Sequence, residues 1–176
     1  MKRDIYMPLI KAFNDFLSEA ELERVTKVIS ENAWIYGGIS NIETENDTKF
    51  FMMKLGDIPL FTDTIFNKIK DVTGMPELKI ERVYANGQTP GLDGSYHTDS
   101  IRDGCYTFLL YLSDITEDNV DEIRGHTEFK INNKVFAVEP IKNKGIFFKS
   151  DILHRGMGPS IRSNILRITL AYKLYT

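Results

Sequence analysis

From Leu78 onward the chain is a succession of short runs rich in β-branched and aromatic residues, with no helical repeat between them. These runs cover residues 78–84, 105–112, 127–131, 135–138, 145–149 and 165–174. β-branched and aromatic side chains suit a pleated, half-buried surface, so each run reads as a strand. Asn132-Asn133 stands between two of them and predicts a tight hairpin turn, because asparagine tolerates positive φ. Many short strands in series point to an antiparallel barrel or a double-sheet jelly roll.

The first part of the chain has a different texture. Ser18-Glu19-Ala20-Glu21 fits a capping box, and Leu22, Val25, Val28 and Ile29 follow at helical spacing, predicting a helix over 19–31. Trp34-Ile35-Tyr36-Gly37-Gly38 reads as the turn that closes this unit, and 50–55 as a buried strand. Phe61, Ile65, Phe66, Ile69 and Val72 predict a second helix that stops before Gly74 and Pro76. The expected fold is therefore mainly β with flanking helices that pack on one sheet. Its 176 residues are expected to form one domain, with a helical lead-in over 1–77 and a jelly-roll core over 78–176.

Hydrophobic residues make up 42% of the chain and charged residues 27%, which is ordinary for a soluble globular protein and leaves no low-complexity segment. A net charge of −3 offers no basic footprint, so nucleic acid is disfavoured as a partner. Cys105 is the only cysteine, which excludes an internal disulfide and suits a small packing residue. The opening residues Met1 to Tyr6 lack a sustained apolar stretch, and no run approaches a membrane span, so a cytoplasmic location is expected.

The chemistry-bearing pattern is His97-Thr98-Asp99, followed far downstream by His154. Residues i and i+2 of an extended segment share a face, so the imidazole and the carboxylate can approach one ion from the same side. A second imidazole from a neighbouring strand completes a set that suits non-haem iron(II) and leaves three coordination positions open. Two of the chain's three histidines are used in this way. A His-x-Asp pair alone is weak, and it gains weight from His154 and from the strand-like run carrying Arg167.

The order Tyr84, His97-x-Asp99, Tyr111-Leu112, Gly125-x-Thr127-x-Phe129, His154 and Arg167-x-Thr169 resembles the Fe(II)- and 2-oxoglutarate-dependent dioxygenases, most closely their prolyl-4-hydroxylase-like branch. The resemblance runs over 78–176 and more loosely over the helical part, where NDFLSEAEL looks like the lead-in to the branch's first helix. It implies a double-stranded β-helix, with His97, Asp99 and His154 as iron ligands. It implies 2-oxoglutarate and dioxygen as co-substrates, ascorbate as an auxiliary reductant, and an amino-acid or peptide substrate. Family halogenases replace the carboxylate, so the presence of Asp99 implies hydroxylation.

A guanidinium is the best partner for the distal carboxylate of 2-oxoglutarate, and the resemblance assigns that role to Arg167 with Thr169. Strand alternation sets Arg167, Thr169 and Ala171 on one face, against Leu166, Ile168 and Leu170 on the other. Arg162 competes from a polar, loop-like stretch, and the two arginines fall on either side of the family's usual spacing from His154. Tyr111 is expected to bond the same carboxylate, with Thr107 and Leu109 lining the pocket beside it and Tyr84 as a further pocket tyrosine. Each aromatic is otherwise an ordinary strand core residue.

Three further features have plainer readings. His126 reads as an ordinary strand or loop histidine. The glycines at 87, 91 and 94 suit a flexible lid over the metal rather than a phosphate loop, since no Gly-Lys-Ser/Thr follows. Asp114, Glu117, Asp118, Asp121 and Glu122 form a solvated loop or, in a sharper reading, an acidic lip that favours a cationic substrate. Two other functions remain open: a non-catalytic jelly-roll binding module, and an oxygenase acting on a nucleobase. Oligomeric state is not readable.

Overall fold

The structure, a computed structural model, describes residues 9–39 and 48–176, so the reading of Met1 to Tyr6 falls outside the described residues. Among the described residues, ten strands form two facing sheets: β1 (Ile10–Phe13), β2 (Ile35–Gly38), β3 (Phe50–Lys54), β4 (Lys79–Gln88), β5 (Cys105–Tyr111), β6 (Thr127–Ile131), β7 (Lys134–Val138), β8 (Gly145–Lys149), β9 (Leu153–Gly156) and β10 (Arg167–Tyr175). The larger sheet has seven strands in the order β1-β8-β5-β10-β4-β3-β2, and the smaller has three in the order β7-β6-β9. Every pairing between these strands is antiparallel. The jelly-roll expectation holds.

Ser18 caps α1 (Glu19–Glu31) in a full capping box, with the Ser18 amide donating to Glu21 Oε2 at 2.8 Å. The second helical segment begins as a π-helical turn, Leu60–Ile65, and continues as α2 (Phe66–Thr73). Gly74 then takes φ +69°, and its amide donates to Lys70 and Asp71 carbonyls. Val25 and Ile29 of α1, Phe61 and Ile65 of the π-turn and Ile69 of α2 pack with Phe108, Leu110, Leu170 and Tyr172 from one face of the large sheet. The opposite face of that sheet packs Leu109, Tyr111, Phe148 and Ala171 against Phe129 and Ile131 of the small sheet. β5 is therefore buried on both sides, which is why its sequence is apolar apart from Thr107.

Three strands depart from expectation. The Trp34–Gly38 stretch, read as a turn, supplies β2, and β1 was not anticipated at all; with β3 they extend the large sheet from the part of the chain read as helical. Both short strands carry exposed residues and owe their shape to the strand they pair with rather than to local pattern. β4 runs on through Gly87 to Gln88, so the first half of the expected lid is paired strand. Asn132 and Asn133 take φ of 50° and 61°, as a two-residue hairpin between β6 and β7 requires. No helix among the described residues is long and apolar enough to cross a membrane.

Candidate metal centre and anion pocket

His97 and Asp99 lie on an extended segment tied to the strand region opposite by backbone bonds. His97 and His154 exchange N–H to carbonyl bonds, both 2.9 Å, and the Asp99 amide donates to Ser150 at 2.9 Å. This crosslink brings together side chains more than fifty residues apart in the chain. His97 Nε2 lies 3.5 Å from Asp99 Oδ1, and His154 Nε2 lies 3.4 Å from Asp99 Oδ2. Among the described residues, His97, Asp99 and His154 are the one group of three metal-ligating side chains whose ligand atoms lie within 4.8 Å of one another.

Both imidazoles are oriented by their other nitrogen. His97 Nδ1 is 2.9 Å from the Ser95 carbonyl oxygen, and His154 Nδ1 is 2.8 Å from that of Ile152. A carbonyl only accepts, so each Nδ1 carries a proton, and Nε2 is the nitrogen turned toward Asp99. Burial pushes His154 below the usual histidine range, which favours the neutral ring that ligation needs. Burial pushes the Asp99 carboxyl up, but the Lys173 ammonium and the two imidazoles outweigh it and hold the group well below the usual carboxylate range.

The triad opens into a cavity of about 790 Å³ between the sheets, which also exposes Tyr84, Leu109, Thr169 and Arg167. Arg167 is buried at 3% exposure. Its Nε donates to the Gly125 carbonyl at 2.5 Å, Nη1 to Gln88 Oε1 at 2.6 Å and Nη2 to Thr127 Oγ1 at 2.8 Å. All three acceptors are neutral, and no ion pair engages the guanidinium among the described residues. Burial lowers its affinity for the proton, and the Tyr111 ring sits 5.5 Å away. A Cβ on Gly156 would lie 2.7 Å from Gln88 Oε1 and 3.0 Å from Arg167 Nη1, so any larger residue on β9 would have to displace the Gln88 amide or the guanidinium.

A second polar group in the same cavity also lacks a partner. Asn86, from the inward face of β4, carries a buried Oδ1 with no hydrogen bond. A buried amide oxygen without a donor costs free energy, and so does a buried cation without an anion. Together they make the cavity suited to a ligand that brings a carboxylate to Arg167 and a donor near Asn86.

The remaining expected residues fall into place differently. Arg162 is exposed in a turn, away from the cavity lining. Tyr111 does not line the cavity; its hydroxyl is 2.7 Å from Thr127 Oγ1, which itself accepts from Arg167. Thr107 does not line it either: its hydroxyl donates to Asp99 Oδ2 at 2.6 Å and so supports the carboxylate. The second half of the glycine-containing loop is tied down as well, since Gly91 and Gly94 donate to the Pro159 and Gly156 carbonyls and Asp93 Oδ1 accepts from Gly158. The acidic segment does not reach the cavity. Ile115, Val120 and Ile123 anchor it to a separate apolar cluster, and Asp114 pairs with Lys142.

Lys173 and Gln88 were missed. Both could have been found by extending the two-residue repeat, since Lys173 shares the face of Arg167 and Gln88 that of Tyr84. His126 belongs to another cluster. Its Nε2 lies 3.2 Å from Glu128 Oε1, while Tyr96 donates to Glu128 Oε2 at 2.6 Å and Arg155 Nε at 2.8 Å. Burial raises the Glu128 carboxyl, but these donors bring it down to about 2. Because Tyr96 precedes His97, the cluster braces the ligand segment from behind. A depressed carboxylate contributes stability above its unfolded range and loses it as pH falls toward its folded value. Glu128→Gln is therefore expected to be less stable than wild type near neutrality, with the gap closing between about pH 4.5 and about pH 2. Urea midpoints across that range check this; a gap that stays constant would assign the loss to packing.

No family model and no curated protein matches the chain. Solved structures do. An oxidoreductase of the 2OG-Fe(II) oxygenase family from Burkholderia pseudomallei aligns with TM-score 0.73 and 12% identity, covering 94% of this chain and 84% of that one. A Trichoplax adhaerens prolyl hydroxylase, in complex with a hypoxia inducible factor peptide fragment, aligns with TM-score 0.69 and 18% identity over 94% and 83%. HygX from Streptomyces hygroscopicus, with nickel, 2-oxoglutarate and hygromycin B bound, gives 0.69 and 11% over 94% and 82%. The chain thus shares the fold of the 2OG-Fe(II) oxygenases, prolyl hydroxylases among them.

Proposed function

We propose that this protein is an iron(II)- and 2-oxoglutarate-dependent dioxygenase that hydroxylates an unactivated carbon of an amino acid, free or within a peptide, with proline as the first candidate. The observation that carries the reading is the pairing of two features in one cavity: a two-histidine, one-carboxylate set and a buried guanidinium without an anion. A binding module has no need of both. The fold shared with 2OG-Fe(II) oxygenases supports the class, and the prolyl hydroxylases among those neighbours motivate the substrate.

His97, Asp99 and His154 would hold the metal, and Arg167 would take the distal carboxylate of 2-oxoglutarate in two parallel hydrogen bonds. Bound iron would supply the oxidising power for C–H hydroxylation, with dioxygen giving one oxygen atom to the substrate carbon and the other to succinate as 2-oxoglutarate loses carbon dioxide. The chain's residues do the rest by positioning. The Ser95 and Ile152 carbonyls turn both rings so that Nε2 faces the metal position, Gln88 and Thr127 fix the orientation of the Arg167 fork, and Thr107 holds Asp99. Thr169 and Tyr84 line the path between cation and triad.

The test is succinate formation from 2-oxoglutarate with iron(II), ascorbate and dioxygen, first alone and then with a panel of amino acids and proline peptides. Iron-dependent turnover is expected, with His97→Ala lowering it at least a thousandfold. A wild-type protein that binds iron(II) yet never consumes 2-oxoglutarate would sink the enzyme reading.

A further inference from the structure

Lys173 does something at the triad that a metal centre does not require. It is buried at 5% exposure on the cavity face of β10, and its ammonium pairs with Asp99 Oδ2. That oxygen also accepts from Thr107, while Oδ1 faces His97. Asp99 is the only carboxylate Lys173 pairs with among the described residues. Its cross-strand neighbour on β4 is Arg82, another cation, so the pairing across the strands adds repulsion instead of relief. A buried ammonium needs a counter-ion, and the only one among the described residues is a member of the candidate metal triad.

Two consequences have the same sign. Without metal, the ammonium supplies the charge that lets a buried carboxylate stand between two imidazoles, and so stabilises the metal-free fold. With metal, a divalent cation shares that carboxylate with a neighbouring positive charge in a poorly screened interior. Both effects reduce the free energy gained on metal binding, which is measured against the metal-free state.

We propose that Lys173 is a positioning residue that competes with the metal for Asp99: it keeps the triad assembled when no metal is bound and holds metal affinity down when one is. The proposal rests on the metal-centre reading above but needs no turnover to be tested.

Manganese(II) binding isotherms, with manganese as a redox-inert probe, are compared for wild type, Lys173→Met and Lys173→Arg, alongside thermal unfolding with and without the metal. Lys173→Met is expected to bind manganese at least tenfold more tightly and to melt several degrees lower without metal. Metal should restore most of that loss. Lys173→Arg, which keeps the charge, should bind like wild type. A merely structural lysine would lower stability with and without metal and leave affinity unchanged or weaker, and that result would overturn the proposal. If Lys173→Met folds only when metal-loaded, manganese release to a chelator replaces the isotherm; release slower than from wild type supports competition and faster release refutes it. Wild-type manganese binding that survives His97→Ala would overturn the metal-centre reading and the competition together.

Discussion

Replacing Arg167 with methionine is expected to weaken 2-oxoglutarate binding by two to three orders of magnitude while leaving metal affinity near that of wild type. The guanidinium is buried, its three hydrogen bonds go to neutral acceptors, and no carboxylate of the described chain reaches it. Removing one partner of a buried, hydrogen-bonded charge pair costs about 2–5 kcal/mol, and each ~1.4 kcal/mol is tenfold in affinity. Metal affinity is spared because Arg167 bonds none of the three ligands. The ligand-free fold should tolerate the change, since methionine removes a desolvated charge along with three hydrogen bonds. Co-substrate titrations monitored by thermal shift, with manganese present, separate the two affinities. A variant that still binds 2-oxoglutarate within a few-fold of wild type would move the anion site elsewhere in the cavity.

Asp99→Asn is expected to abolish metal binding and, in the metal-free protein, to lower the melting temperature by roughly 10 °C. The second effect comes from Lys173, which would be left as a buried ammonium with no carboxylate in reach. Breaking a buried ion pair by removing one partner costs about 3–5 kcal/mol, and for a chain of this size each kcal/mol is worth about 2–4 °C. The double variant Asp99→Asn with Lys173→Met should recover most of the lost stability, since it removes both charges together. Calorimetry on the two single variants and the double one measures the coupling. Additive losses would mean that the two side chains do not sense each other.

Legibility followed the range of the interaction. The capping box at Ser18, the Asn132-Asn133 turn and the Gly74 helix stop are short-range chemistry, and each appears where the residues suggested. The alternation of β10 between residues facing the helices and residues facing the cavity needed no fold knowledge either, because it follows from the strand's two-residue repeat. The course of β4 through Gly87 could not be read this way. Glycine is a poor strand residue, and it is used here because Leu166 and Trp34 occupy the place of a side chain, with Leu166 Cδ2 2.9 Å from a would-be Cβ. Thr107 looked like pocket lining and instead braces Asp99, a role that exists only because the extended segment crosses β5 at that height.

The identities of the triad, of Arg167 and of the strand-forming runs are properties of the chain read in order, so candidate ligands, a candidate co-substrate cation and the jelly-roll class could all be named from the sequence. Pairings between distant residues could not. The ammonium on Asp99, the guanidinium among neutral acceptors and the partnerless oxygen of Asn86 arise from the register of β4 against β10 and from the His97 and His154 crosslink. Register is settled by burying two faces of one sheet at once, a condition that involves the whole core and leaves no local trace in the residues it aligns.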